Sequence, residues 1–539
     1  MTNAVDGVDL GRLSAFEVSF QMQKLAQDNK DHLSYLNAGR GNPNWINVET
    51  RLALARLMEW GCVESQRTYS QGAMAGFTEE SGMGQRFDAF LATKNDAISV
   101  FLAQAIQWCC DHEAMNKEDL LKELADAVVG NTYPSPGRCL THVEKIINSY
   151  LQSALYDGVD LKDSTDLFAC EGGTAAMCYA FDSLKHNGLL RPGDKIALNT
   201  PIFTPYLEIP KLEDFQLVEI DLSSKEDGDW EIDIDQFDKL LDPAIKAFFL
   251  VNPSNPGSKA LSKAALDKLE QVCQARRDLM IITDDVYGTF VDGFQTVYAR
   301  VPYNTLLVYS FSKLFGVTGW RLGLIALNKD NVFDHLISQV DDAVKRDLDN
   351  DYSIVSTDVA SFPFIDRLCA DSRNIALYHT AGLSTPQQTM MALMSLSHLI
   401  QGDKDGYIGL TKEILDHRYK TLYETLGIPF DRSADNAEYY TLIDMYQLAA
   451  RKYSAAFSQW LRTSFNQADF MIDLAREDGV VLVEGIGFDA TPGTLRVSFA
   501  NLVDTDYEAI AKRILAVLDQ YYQKHQGAQS GGVQASGTK

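Results

Sequence analysis

One stretch of this chain gathers reactive side chains directly behind an apolar run: Ser310-Phe311-Ser312-Lys313, then Leu314-Phe315-Gly316-Val317-Thr318-Gly319-Trp320-Arg321. A lysine at the end of a strand, partly desolvated, gives up its proton more readily and condenses with a carbonyl as a Schiff base. Ser310 and Arg321 can grip a phosphate, the arginine through two parallel hydrogen bonds. Taken alone, a lysine and an arginine that end a strand are also common surface charges. Other segments decide the matter.

Gly172-Gly173-Thr174 follows an apolar run and opens a helical pattern. Free amides at a helix start attract anions, although such glycines more often serve a tight turn. Asn252-Pro253-Ser254-Asn255-Pro256-Gly257 ends another apolar run. It is either a proline-ordered loop or a device that aims Asn255 at the phenolic oxygen of a cofactor. Thr283-Asp284-Asp285-Val286-Tyr287 sets a carboxylate at a strand end, which is costly without a cationic partner. The ring nitrogen of pyridoxal phosphate is such a partner, and its protonation makes the ring an electron sink. Asp284, nearest the strand, takes that role; Asp285 is expected to be solvated or to cap the turn. Tyr287 shares the target of Asn255. Phe203 either stacks on the ring face or packs in the core. Arg496, alone in the apolar run Leu495-Arg496-Val497-Ser498-Phe499, needs an anion: a substrate carboxylate or a structural acid.

These residues need a frame. Short apolar runs at 166–170, 195–199, 216–222, 246–251, 279–283 and 305–310 alternate with helical patterns such as 174–186 and 260–277. That alternation predicts a mostly parallel sheet between helices, with ligands at the carboxyl ends of the strands. Residues 10–28 predict a helix with Leu10, Leu13, Phe16 and Phe20 on its apolar face. Residues 80–130 read as helical. From about 405 to 525 helices mix with a few strands, as in a smaller α+β unit. The expected divisions are an N-terminal arm with part of the smaller unit (1–80), a helical insertion (81–130), a cofactor-binding unit (131–400), a C-terminal small unit (401–526) and a disordered Gly/Ser/Gln-rich tail (527–539).

Composition removes other classes. The 539 residues carry a net charge of −26, and no basic stripe is present for nucleic acid. Eight cysteines form no CxxC pair and nine histidines form no HExxH, so metal catalysis has no support. The first residues lack the basic and apolar regions of a signal peptide, and no stretch is apolar and long enough to span a bilayer. A reducing cytoplasm is expected.

The motifs and their order resemble the fold type I pyridoxal-phosphate enzymes of the aspartate aminotransferase superfamily, over roughly residues 130–330 and again 480–502. The resemblance implies that Lys313 holds the cofactor aldehyde and Asp284 pairs with the pyridine nitrogen. It implies that Asn255 and Tyr287 contact the 3′-oxygen, and that Gly173, Thr174, Ser310 and Arg321 bind the phosphate. Arg496 is then expected to hold the substrate α-carboxylate, with the Gly39 backbone nearby. Tyr133, in Asn131-Thr132-Tyr133-Pro134-Ser135-Pro136-Gly137, matches a tyrosine that reaches the phosphate of a second subunit, which implies a homodimer with shared sites. Phe203 departs from the usual Trp or Tyr. The long chain, the helical insertion and the segment SFSKLFGVTGWRLG look like the aspartate 4-decarboxylase (L-aspartate β-decarboxylase) family. That family forms alanine and carbon dioxide from aspartate, keeps side aminotransferase activity and assembles as homododecamers. A β-carboxylate about to leave must be held loosely, with Arg40 and Arg373 as candidate contacts. The competing expectation is an aminotransferase for a dicarboxylic or aromatic amino acid.

Overall fold

The computed structural model describes residues 4–5, 8–9, 15–30, 33–134, 136–223, 231–464 and 467–534. The apolar runs become the strands β1 (Thr165–Cys170), β2 (Lys195–Thr200), β3 (Gln216–Asp221), β4 (Ile245–Val251), β5 (Met280–Asp284) and β6 (Thr305–Ser310). A strand absent from the sequence reading, β7 (Gly323–Asn328), completes a seven-stranded sheet in the order β1-β7-β6-β5-β4-β2-β3. It runs antiparallel to both neighbours, and the other pairings are parallel. Every residue of β5, β6 and β7 is buried. This explains their unbroken apolar character, since a sheet covered on both faces has no polar side to alternate with.

Helices Gly173–His186 and Lys263–Ala275 follow β1 and β4. The insertion is three helices, Met83–Lys94, Ala97–His112 and Lys117–Val129. They pack against helix Val48–Thr68, with Trp60 and Phe87 edge to face at 4.7 Å. Asp96 and Asn116 cap the second and third with side-chain oxygens.

The C-terminal unit has a three-stranded antiparallel sheet of β8 (Tyr440–Asp444), β9 (Val483–Glu484) and β10 (Thr494–Ser498), with β10 central. The N-terminal segment joins it: Leu36–Asn37 pairs in parallel with Val480–Val481. The loop that follows is thereby carried to the mouth of the large sheet.

Two expectations are corrected. In the first helix, described as Ala15–Gln27, the buried face is Val18, Met22 and Ala26, while Phe20 is 56% exposed. Leu10 and Leu13 and the Phe16 side chain lie outside the described residues. The last helix runs Asp504–Gln534, through Gly527. Glycines cost a helix about 1 kcal/mol each without breaking its hydrogen-bond ladder. The rest of the predicted tail, 535–539, lies outside the described residues. Among the described residues no helix is long and apolar enough to cross a membrane, and no cluster of His, Cys, Asp and Glu could hold a metal ion.

Candidate active site

The carboxyl ends of β1, β4, β5 and β6 open into a cavity of about 310 Å³ that the N-terminal loop and the C-terminal unit close. Lys313 lies just beyond β6, half-buried, and its Nζ donates to the Gly41 carbonyl at 3.0 Å.

One end of the cavity is built for an anion. Helix Gly173–His186 begins there, and Gly173 and Thr174 line the wall with Ser310, Ser312 and Arg321. Gly172 has φ +91, and a Cβ on it would stand 2.4 Å from Arg321 Nη2. Its lack of a side chain makes the turn and leaves room for the guanidinium. Arg321 Nη1 donates to Thr318 O at 2.7 Å, and the Ser310 and Ser312 hydroxyls are 2.8 Å apart. Helix-start amides, hydroxyls and one guanidinium form a phosphate donor set.

Asp284 ends β5, buried but facing the cavity. Burial pushes its carboxyl up, while the Tyr206 hydroxyl (2.7 Å), the Val286 amide (3.3 Å) and nearby Lys313 pull it down. Among the described residues no cation lies within ion-pair distance of it. A buried carboxylate without a counter-charge suits a cationic ring nitrogen. Phe203 lines the same wall, edge to face with Tyr206 at 5.8 Å.

Asp285 corrects the sequence reading. It is fully buried rather than solvated, and burial pushes its carboxyl up to about 7. Its amide donates to Val308 O at 3.0 Å, so the chain beyond β5 still follows the sheet and turns this side chain inward. The Thr283 hydroxyl donates to Oδ1, and Oδ2 has no hydrogen-bond partner.

Arg496, on β10, is 2% exposed. Nη1 donates to Asn255 Oδ1 at 3.0 Å and Nη2 to Gly39 O at 2.7 Å. The guanidinium is sandwiched between the rings of Tyr440 and Phe488, each 4.5 Å away, and Nε has no partner. Burial lowers its basicity. These acceptors are neutral, so the charge lacks an anion, the condition a substrate carboxylate relieves.

Lys313, Asp284, Asn255, Tyr287, Phe203, Gly173, Thr174, Ser310, Arg321 and Arg496 thus line one cavity, with the Gly39 carbonyl on Arg496. Three predicted residues stand apart. Tyr133 is 77% exposed and does not line it. Arg40 is exposed, also off the lining. Arg373 is buried elsewhere, its Nη1 bonded to the Gly137 and Tyr378 carbonyls at 2.6 and 2.9 Å. It supports a loop and does not reach the cavity.

The sequence reading missed Tyr206, Gly41 and Tyr440. Tyr206 follows Phe203 at helical i,i+3 spacing, a signal that two aromatic residues share a face. Tyr440 opens an apolar strand, where an aromatic residue reads as core.

A family model described as aminotransferase class I and II matches residues 122–514. A Pseudomonas protein described as a bifunctional aspartate aminotransferase and L-aspartate beta-decarboxylase is 43% identical over 520 residues, 96% of this chain and 98% of its own. A probable kynurenine–oxoglutarate transaminase of Saccharomyces cerevisiae is 26% identical over 274 residues, 48% of this chain and 52% of its own. Among solved structures, Thermus thermophilus aspartate aminotransferase with maleate superposes with a TM-score of 0.59 at 16% identity, covering 94% of this chain and 96% of that one.

Proposed function

The chain belongs to the class I and II aminotransferase family, and on that premise we propose a pyridoxal-phosphate enzyme that removes the β-carboxylate of L-aspartate, forming L-alanine and carbon dioxide, with aspartate aminotransferase as a side activity. The observation that carries this reading is the near end-to-end match to the bifunctional Pseudomonas protein, helical insertion included. The residues present fit the cofactor: a phosphate cradle at one end, the unpaired Asp284 for the pyridine nitrogen and Lys313 for the aldehyde. Once bound, pyridoxal phosphate supplies a covalent link to an amine and a ring that takes up an electron pair.

The chain's own groups do the rest. Gly173, Thr174, Ser310 and Arg321 would hold the phosphate, Asn255 and Tyr287 would serve the 3′-oxygen, and Phe203 would pack on the ring. Arg496 receives the α-carboxylate, oriented by the Gly39 carbonyl and by the two rings that bracket it. With the cofactor bound, Lys313 would be the base for the α-carbon proton, and the Gly41 carbonyl is its partner here. The cationic side chains lining the cavity are Lys313, Arg321 and Arg496. With those assigned to cofactor aldehyde, phosphate and α-carboxylate, no further cation among the described residues lines the cavity to clamp the β-carboxylate. A clamp there would stabilise the anion in the ground state and oppose its loss, so a lining without one suits decarboxylation as long as the second copy adds none.

The exposed Tyr133 suits a homodimer in which it reaches the phosphate of a second copy, and larger assembly into a homododecamer follows from the same resemblance. Eight free cysteines suit a reducing cytoplasm. The test is product analysis: purified protein with pyridoxal phosphate and L-aspartate, and no keto-acid acceptor, forms alanine and carbon dioxide. Turnover that appears only on adding 2-oxoglutarate would replace this reading with a plain aminotransferase.

A further inference from the structure

We propose that Tyr440 is a second proton-transfer group of this cavity, handing its hydroxyl proton to the β carbon of the substrate as carbon dioxide leaves; the proposal rests on the decarboxylase reading above. Loss of the β-carboxylate leaves an electron pair on the substrate that a proton must close. A side chain positioned in the cavity is a ready donor. The lining offers few. Asp284 and Tyr206 are engaged with each other at 2.7 Å, Tyr287 directs its hydroxyl at Tyr440, and Lys313 acts at the α carbon. The hydroxyls of Thr174, Ser310, Ser312 and Thr318 belong to the anion end of the cavity, beside Arg321, which leaves the Tyr440 O–H.

Its surroundings prepare it for that work. Tyr440 is 3% exposed, and Tyr287 donates to its oxygen at 3.1 Å. The Arg496 guanidinium lies over its ring at 4.5 Å. The donated hydrogen bond and the guanidinium over the ring fix where the hydroxyl sits relative to Arg496. Its position is fixed from two sides. Its backbone amide donates to Ser258 Oγ at 2.7 Å, from a Ser258 held at φ +62. Its oxygen packs so closely on the N-terminal loop that a Cβ on Gly41 would lie 1.9 Å from it. The Gly41 carbonyl is also what holds the Lys313 amine, at 3.0 Å. Both proton-transfer groups therefore flank a single residue, one for each carbon that changes its bonding.

The step balances. The bond between the β carbon and its carboxylate breaks, carbon dioxide departs, and the electron pair left behind forms a C–H bond with the Tyr440 proton. The phenolate regains its proton from solvent when product leaves.

Tyr440→Phe removes the O–H and keeps the ring face on Arg496; Tyr440→Leu removes both. Each holoenzyme is given L-aspartate and the ratio of alanine to four-carbon keto acid is measured. Maleate affinity is measured alongside by calorimetry, as a report on Arg496. In Tyr440→Phe the product ratio is expected to fall by about 10²-fold or more, the range for a lost general acid, while maleate binding changes less than about twofold because the cation–π contact remains. Tyr440→Leu is expected to lose both. An unchanged ratio in Tyr440→Phe overturns the proposal, as does a fall matched by an equal loss of maleate affinity, which reduces Tyr440 to positioning Arg496. A wild-type enzyme that forms no alanine sinks the decarboxylase reading itself, a failure distinct from the other two.

Discussion

Lys313 and Arg496, from different units of the fold, donate to carbonyls of the same N-terminal loop: Lys313 to Gly41 at 3.0 Å and Arg496 to Gly39 at 2.7 Å. The loop is held in turn by Val480–Val481 through the pairing of Leu36–Asn37. The cation proposed to engage the cofactor and the cation proposed to receive the substrate are thus registered against one short stretch of backbone. Small errors in such registration cost rate steeply.

Replacing Lys313 by Ala is expected to abolish covalent retention of the cofactor and to lower turnover by at least about 10³-fold, the joint effect of a lost covalent anchor and a lost base. Borohydride reduction followed by peptide mass spectrometry is the check. Wild type gains the cofactor mass on the peptide containing Lys313, and the variant gains none. An adduct on another lysine would displace the assignment.

Arg496 is buried among neutral acceptors, so its charge is a standing desolvation cost in the free protein that an anion relieves. Arg496→Gln is therefore expected to leave the melting temperature without ligand level or higher. The KM for aspartate should rise about 10²-fold, the scale of losing one partner of a buried charge pair. Thermal melts with and without maleate test this: the dicarboxylate raises the wild-type transition and does not move that of the variant.

Much of this site is legible in sequence because its members are polar residues closing apolar runs. Lys313, Asp284, Asn255 and Arg496 each stand where a strand or its loop meets the cavity, and burying such groups without purpose is costly. Tyr440 and Tyr206 are illegible for the opposite reason: phenols serve as core and as reagents alike, and only their partners tell which. Asp285 misleads because a residue just past a strand end is expected in water, whereas here the backbone stays bonded to Val308 and keeps it inside. The strand Gly323–Asn328 hides behind the Arg321 turn, where the apolar run reads as a continuation of the phosphate motif. Gly41 has no signal at all, because the oxygen that forbids its side chain comes from a distant strand.

That close approach makes a prediction of its own. Gly41→Ala places a methyl 1.9 Å from the Tyr440 oxygen, an overlap that displaces the loop and costs about 1–3 kcal/mol. Cofactor affinity and melting temperature should both fall. In the double variant Gly41→Ala/Tyr440→Phe the obstructing oxygen is gone and the next ring atom stands 3.0 Å from that methyl. Part of both losses is then expected back, as a positive coupling in a double-mutant cycle read by cofactor titration. Strictly additive losses would show that the two residues do not press on one another.

Asp285 sets a pH dependence whose sign can be worked out. Its folded-state carboxyl is pushed up to about 7 from an ordinary 3.8 by full burial, so between those values the folded protein binds a proton that the unfolded chain has released. Stability then falls as pH rises through that window, and the loss is complete once pH passes the folded value. The span is about 3 units, which at 1.36 kcal/mol each sets an upper bound of about 4 kcal/mol. Asp285→Asn keeps the shape and the hydrogen bond from Thr283 and has no proton to release. Denaturant unfolding of holoenzyme and variant at pH 5, 6, 7 and 8 is therefore expected to show Asp285→Asn gaining on wild type by about 1 to 3 kcal/mol between the first and third points and level thereafter. Parallel curves for the two proteins would mean that Asp285 is already ionised in the folded state, and that a cation or water satisfies its open Oδ2.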